Sequence, residues 1–228
     1  MRGIGKNLDL PLYNTLSNLD IIVLALSSLM VIGVVSMESM IPSYLKSLLI
    51  FLIPFSGFLY VCRGNLNHIV RKVHLSDLGY VVAYAILYYL IVIGVGIALY
   101  FAGYPLKSHA LAGTSRDAAF FILFFIQVFG EELFKLGIFF TALSLLCRHA
   151  SGISRLGIAI AVVASSFIFA AAHMFAYGSI IQPLLILGLG NIVLIYAYLQ
   201  SCNVMIPYLS HLIVDLIPLM ATMFLFIC

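Results

Sequence analysis

The chain has 228 residues, of which 64% are hydrophobic and only 8% are charged, and its mean hydropathy is +1.20. This composition excludes an ordinary soluble domain and is typical of a protein embedded in a lipid bilayer. The net charge of +3 is modest, and no dense basic patch with interleaved aromatic residues indicates nucleic-acid binding. We therefore expect an integral membrane protein with no nucleic-acid partner.

Apolar stretches long enough to cross a bilayer follow one another along the chain. They predict an all-α, polytopic membrane bundle of about seven transmembrane helices, with six and eight as the limits, near residues 21–37, 43–62, 80–101, 118–147, 158–177, 180–200 and 205–228. The first stretch lacks the pattern of a cleaved signal peptide, so we interpret it as an uncleaved anchor. No linker or long repeat divides the sequence, which predicts one integral membrane domain over residues 1–228.

Basic residues are distributed unevenly between the two sets of connecting segments. The segments on the N-terminal side contain Arg2, Lys6, Arg63, Arg71, Lys72, Arg148 and Arg155, and those on the other side contain Lys46, Lys107 and Arg116. Because Lys and Arg accumulate in cytoplasmic loops, this bias predicts a cytoplasmic N-terminus.

The fourth predicted helix is unusual because it contains VFGEELFKLG at 128–137 inside an apolar run. On a helix, Gln127, Glu131 and Lys135 form one polar stripe, and Glu132 is turned away from it by about 100°. Each unpaired charge at membrane depth costs on the order of 2.5–3.5 kcal/mol. An ion pair between Glu131 and Lys135 would make a structural strut but would leave Glu132 unexplained. The alternative is that the stripe faces a polar cavity.

Two later helices carry further ionisable residues. His173 lies in the fifth predicted span, and His211 and Asp215 lie four residues apart in the seventh. A single histidine in an apolar helix is typically a hydrogen-bonded packing residue. Recurrence of ionisable groups on three helices favours convergence on one site.

Such a set of groups can activate water in two ways, and the residues alone leave both open. In the first, Glu131 is a general base beside Glu132, His173 orients the attacking water, and His211 with Asp215 holds the carbonyl oxygen. In the second, Glu131, His173 and His211 bind a divalent metal such as zinc. The first needs no cofactor, and the sequence contains no HExxH motif that would favour the second.

Three short motifs, in order on successive predicted helices, resemble those of the CPBP intramembrane proteases. This family includes the type II CAAX prenyl endopeptidases and the bacteriocin-processing or self-immunity proteins, which are Abi-like. Its EExxxR motif resembles EELFK at 131–135, its FxxxH matches FAAAH at 169–173, and its HxxxN or HxxxD matches HLIVD at 211–215. The resemblance covers a protease-like core of about 118–218.

The resemblance implies an intramembrane endopeptidase with these residues in its catalytic site. Glu131 would be the water-activating base and His173 its partner, with Glu132 as the second acid of the motif. His211 and Asp215 would stabilise the oxyanion, although an ionised Asp215 cannot itself donate a hydrogen bond. Lysine in place of the family's arginine keeps the charge but loses the planar bidentate fork.

The resemblance and the small size of the chain also imply a biological setting. We expect the bacterial cell membrane, with peptide maturation, self-immunity or CAAX-type processing as the role. The expected partners are a peptide or membrane-anchored protein substrate, the lipid bilayer and other membrane proteins.

One geometric conflict accompanies this assignment. His173 falls near the far end of the fifth span, whereas His211 lies about 9 Å into the seventh span from the opposite side. Tilted or broken helices, or a fifth helix that extends past Tyr177, would bring both histidines to the same depth.

Three other functions fit parts of the pattern. A non-catalytic immunity or scaffold protein could use the same fold to bind a membrane-active peptide. Buried carboxylates and histidines also build proton relays in transporters, but no inverted repeat is visible. The third is a protease that uses Ser165 or Ser166 as its nucleophile, although serines in membrane helices usually form hydrogen bonds to the backbone. Tyr177 and Asn191 are candidates to line the site or to serve as packing residues.

Overall fold

The computed structural model describes residues 10, 12–37, 40–106, 117–147 and 153–225, without the side chains of Asn14 and residues 221–225. Throughout these ranges the regular structure is helical, with no strand. The predicted all-α fold is therefore confirmed.

Seven helices of 18 or more residues and one short helix make up the described bundle. They are α1 (Asn18–Ser36), α2 (Ser43–Val61), α3 (Leu75–Phe101), α4 (Ala118–Cys147), α5 (Arg155–Ala172), α6 (Met174–Tyr177), α7 (Ile181–Ser201) and α8 (Met205–Leu225). Short 3₁₀ turns occupy Tyr13–Thr15 and Leu66–His68, and α7 contains a π-helical turn at Leu184–Gly188.

Five of the described helices, α1, α2, α3, α5 and α7, are long and apolar enough to cross a membrane. Over Met205–Met220, α8 is a shorter apolar helix. At 30 residues α4 is long enough, but Glu131, Glu132 and Lys135 interrupt its apolar run. The protein is thus a polytopic membrane bundle, as predicted.

The surface and interior of the bundle have the polarity expected in lipid. Large apolar side chains such as Leu29, Leu90 and Leu145 are more than 60% exposed, whereas Glu132 and Lys135 are 2% and 0% exposed. This arrangement is stable only where lipid, rather than water, surrounds the exposed side chains.

The central helix is α4, which contacts α1, α2, α5 and α8. All ten residues at 131–140 are buried, so the whole circumference of this segment is covered by neighbouring helices. On the other side of the bundle, α3 packs against α7 and α8, and α5 packs against α7. The charged segment of α4 therefore lies in the interior of the helix bundle.

Gly130 allows α2 to approach α4 closely, directly before the two glutamates. A Cβ atom on residue 130 would lie 2.5 Å from Ile50 O and from Phe51 Cα, which are backbone atoms. Small residues at helix contacts permit such close approach in membrane proteins. The position of Glu131 on α4 thus depends on a close contact with α2.

The helices α4 and α5 form an antiparallel pair. Near the start of α5, Gly157 lies against the side chain of Cys147, the last residue of α4. Further along, Ser165 Oγ donates to Lys135 O at 2.6 Å. Residue numbers therefore rise along α5 as they fall along α4.

The unequal lengths of this pair remove the predicted conflict of depth. With 18 residues, α5 reaches only part of the way along the 30-residue α4. Its end at Ala172 therefore leaves His173 beside the middle of α4, near the level of Glu131. The prediction that this helix continues to residue 177 is wrong, since α6 and the left-handed Gly178, with φ of 56°, follow as separate elements.

We expect Gly130→Ala to destabilise the protein by about 1–3 kcal/mol, because the added methyl group meets backbone that cannot rotate away. Thermal unfolding in detergent measures this change. Gly33→Ala is the matched control, since a Cβ atom there has no neighbour within 4 Å. An unchanged midpoint for Gly130→Ala would contradict the close α2–α4 contact.

Candidate active site

The centre of the site is the carboxylate of Glu132. Its Oε1 accepts from Lys135 Nζ at 2.5 Å and contacts His211 Nδ1 at 2.6 Å. All three residues are at most 5% exposed. A buried carboxylate with two such partners links α4 to α8, because loss of either partner would leave charge in a medium of low dielectric.

Lys135 is held by α7 and α5 as well as by Glu132. Its Nζ donates to Asn191 Oδ1 at 2.8 Å and lies 4.7 Å from the centre of the Phe169 ring. Asn191 Nδ2 in turn donates to Leu187 O, in the π-helical turn of α7. The ammonium group therefore has an anion, an amide oxygen and an aromatic face as neighbours, which together offset its desolvation.

The predicted polar stripe on α4 is divided into two separate contacts. Lys135 pairs with Glu132, three residues away, and not with Glu131 as the strut interpretation proposed. Glu131 Oε1 instead accepts from Gln127 Nε2 at 2.8 Å, and Gln127 Oε1 accepts from Ser47 Oγ of α2 at 2.7 Å. The two adjacent glutamates thus have different partners.

The position of Lys135 also corrects the motif comparison. In EExxxR the arginine comes four residues after the second glutamate, but Lys135 comes three residues after Glu132. The lysine therefore supplies a cation to Glu132 without occupying the arginine position of the motif.

His211 and Asp215 converge as their spacing predicted. His211 Nε2 lies 3.5 Å from Asp215 Oδ2, so the two ring nitrogens face two different carboxylates. The Asp215 side chain is 19% exposed, more than that of Glu132. Asp215 therefore lies toward the more accessible side of the site.

His173 lies near the acidic pair in depth but contacts its own helix. Its Nδ1 is 2.9 Å from Phe169 O, and its ring centroid is 4.6 Å from that of Phe169. Among the described residues, the imidazole makes no hydrogen bond to Glu131. Its predicted partnership with Glu131 thus requires an intervening water or substrate and stays a prediction.

Two tyrosines join the site that the motifs did not identify as functional. Tyr88 on α3 is 4% exposed, and its ring lies against Gly190 of α7, next to Asn191. Tyr177 on α6 is 8% exposed, and its backbone N–H donates to His173 O at 3.1 Å. Tyr88 gave no sequence signal because it lies in an apolar helix without a motif.

Two alternative mechanisms find little support in this geometry. In the described part of the chain, no three His, Cys, Asp or Glu side chains are gathered in a geometry that could hold a metal ion. Ser165 and Ser166 are both 0% exposed, and Ser165 Oγ donates to the backbone. This disfavours a serine nucleophile.

We expect Lys135→Met to destabilise the protein by about 3–5 kcal/mol, because Glu132 would keep its buried charge and lose its ammonium partner. Thermal unfolding of detergent-solubilised protein measures this loss. Adding Glu132→Gln to Lys135→Met should restore part of the stability. Equal destabilisation by the single and double variants would argue against the buried ion pair.

Comparison with known proteins gives one family match. Residues 115–217 match the family model described as type II CAAX prenyl endopeptidase Rce1-like. No curated protein and no solved structure matches the chain. The matched region contains all five predicted site residues, and the resemblance inferred from the three motifs is confirmed at the level of the family.

Proposed function

Because residues 115–217 belong to the CPBP/CAAX protease family, we propose that this chain is an intramembrane endopeptidase that hydrolyses a peptide bond of a membrane-associated or peptide substrate. The observation that carries this proposal is the contrast between the two glutamates. Glu132 is paired with a cation, whereas Glu131 has no cationic partner among the described residues. A carboxylate without a cation is the better proton acceptor.

Glu131 is suited to act as the general base. Gln127 Nε2 binds Oε1 and thereby fixes the carboxylate, while no residue in the described part of the chain donates to Oε2, which can accept from a water molecule. Glu131 is also more exposed than Glu132, at 9% against 2%. The structure thus supports a division in which Glu131 accepts the proton of the attacking water and Glu132 positions other groups.

His173 is suited to orient that water. A backbone carbonyl only accepts hydrogen bonds, so the contact with Phe169 O places the proton of the neutral ring on Nδ1. Nε2 then carries a lone pair that can accept a hydrogen from water. Because His173 lies near the level of Glu131, one water molecule could contact both side chains.

His211 is suited to stabilise the developing oxyanion. When Glu132 is ionised, Nδ1 must carry the proton in their contact, and Nε2 can donate only in the imidazolium form. Lys135 balances the charge of Glu132, and Asp215 lies near Nε2 to balance the imidazolium. An oxyanion that approaches Nε2 would take over the hydrogen bond.

The reaction follows from these roles. Water attacks the peptide carbonyl carbon as its proton passes to Glu131, and the carbonyl oxygen becomes an oxyanion near His211 Nε2. Glu131 then returns the proton to the leaving amide nitrogen as the carbon–nitrogen bond breaks. The products are a carboxylic acid and an amine, and one water molecule is consumed.

The proposed setting is a bacterial cell membrane with the N-terminus on the cytoplasmic side. We propose peptide maturation, self-immunity or CAAX-type processing as the role, and one integral membrane domain as the functional unit. A non-catalytic immunity or scaffold function is the alternative. The displacement of Lys135 from the arginine position of the motif favours that alternative.

We expect Glu131→Gln to lower peptide cleavage by about 10²- to 10⁴-fold, because the amide keeps the contact with Gln127 but cannot accept a proton. Cleavage of a quenched peptide library by purified, folded protein measures the loss. Asp77→Asn is the control, since it makes the same chemical change at the exposed start of α3. A chelator should leave wild-type cleavage unchanged.

Two results would argue against this proposal. Full activity of folded Glu131→Gln would remove Glu131 from the mechanism. If the wild type cleaves no peptide, and Glu131→Gln still gives the same protection or partner binding in cells, the scaffold function replaces the protease.

A further inference from the structure

Lys135 has two acidic neighbours on its own helix but pairs with only one of them. Residues three and four apart on a helix are both within reach, so Glu131 and Glu132 are the candidate anions for this ammonium. Its Nζ lies 2.5 Å from Glu132 Oε1, and Glu131 has no cationic partner among the described residues. The following inference rests on the proposed protease function, because that function requires Glu131 to stay free of a cation.

The charge of Glu132 alone does not explain this choice of partner. The same oxygen, Oε1, also contacts His211 Nδ1 at 2.6 Å, and in the proposed mechanism His211 is an imidazolium. Two cations at one carboxylate oxygen repel each other, and the repulsion is strong because all three residues are at most 5% exposed. A further contact is therefore needed to keep the Lys135 ammonium beside Glu132 rather than Glu131.

Asn191 on α7 supplies that contact. Its Oδ1 accepts from Lys135 Nζ at 2.8 Å, and its Nδ2 donates to Leu187 O at 2.8 Å. Because a carbonyl oxygen can only accept, the contact with Leu187 orients the amide so that Oδ1 faces Lys135. The ring of Phe169, 4.7 Å from Nζ, is the third neighbour of the ammonium. Glu132, Asn191 and Phe169 thus match its three N–H donors.

The packing of α7 holds Asn191 in this position. The side chain is 1% exposed, and the carbonyl to which it donates lies in the π-helical turn Leu184–Gly188. The adjacent Gly190 lies against Tyr88 of α3, where a Cβ atom would be 2.6 Å from Tyr88 Cε2. Contacts with α3 and with its own backbone therefore place the amide oxygen independently of the lysine.

We propose that Asn191 is a positioning residue that directs Lys135 to Glu132 and thereby leaves Glu131 free to accept the proton of the attacking water. Asn191 acts through the lysine and touches neither water nor peptide. Without its Oδ1, the ammonium turns to Glu131, and a carboxylate bound to an ammonium is a poorer proton acceptor.

The first test is peptide cleavage by purified Asn191→Leu in detergent. Leucine is similar in size but has no acceptor, so we expect kcat to fall about 10- to 10²-fold with KM within about twofold of wild type. Asn191→Asp keeps an oxygen that can accept from Lys135 and should recover most of the lost kcat.

Asn203→Leu is the matched control for the loss of a buried amide. Asn203 is 5% exposed and bonds to the backbone N–H and carbonyl of Arg71, with no contact to the two glutamates. Its substitution should lower thermal stability and leave the kcat of the folded protein unchanged.

The second test needs no catalysis. A hydrophobic carbodiimide modifies protonated carboxyl groups, and a bound ammonium opposes protonation. Tandem mass spectrometry distinguishes the two adjacent glutamates, and we expect Glu131 to be modified in wild type and less modified in Asn191→Leu at the same pH. Asn191→Ala, which also lacks the acceptor, replaces Asn191→Leu in both tests if the leucine variant does not fold.

The outcomes separate this role from the protease function. Where the wild type cleaves peptide, an unchanged kcat in folded Asn191→Leu, or an equal loss in Asn191→Asp, would overturn the role of Asn191 alone. Unchanged modification of Glu131 in Asn191→Leu would overturn it as well. If the wild type cleaves no peptide, the protease function fails, and the carbodiimide result decides whether Asn191 directs Lys135.

Discussion

The buried carboxylate of Glu132, bound by both Lys135 and His211, is the interaction on which the arrangement of the helices around the site depends. In a medium of low dielectric, each charge must find a partner or the helix that carries it becomes unstable. The partners come from elements distant in sequence, with Asn191 on α7 and His211 on α8. One short-range electrostatic requirement therefore fixes the relative positions of three helices.

This interaction also gives two adjacent glutamates different chemical properties. The carboxylate of Glu132 binds Lys135 and His211, so Glu132 is a positioning residue in the proposed mechanism. Glu131 is held by the neutral Gln127 and keeps its charge available for a proton. Gly130 contributes to this difference, because the close approach of α2 brings Ser47 within reach of Gln127.

Irregular backbone surrounds the site where α5 ends. From His173 to Gly188 the chain forms a short helix, a connection and a π-helical turn. This segment contains His173, Tyr177 and the carbonyl of Leu187, which accepts a hydrogen bond from Asn191. Within a membrane, such backbone is tolerated where it is buried in protein or lines a polar space. This irregular backbone orients side chains toward the site in directions that a straight helix would not allow.

The sequence by itself determined the membrane class, the positions of the long helices and the resemblance of residues 115–217 to the type II CAAX prenyl endopeptidase Rce1-like family. Hydropathy is a property of contiguous residues, so it can be read from the sequence. The four-residue spacing of His211 and Asp215 places both side chains on one face of any α-helix. Only the tertiary structure decided which partners were used. Residues three and four apart are equally near on a helix, so the choice of Glu132 over Glu131 by Lys135 depended on Asn191 and His211 from other helices. The end of α5 and the packing of Tyr88 against Gly190 were equally hidden, because they result from packing between segments far apart in the chain.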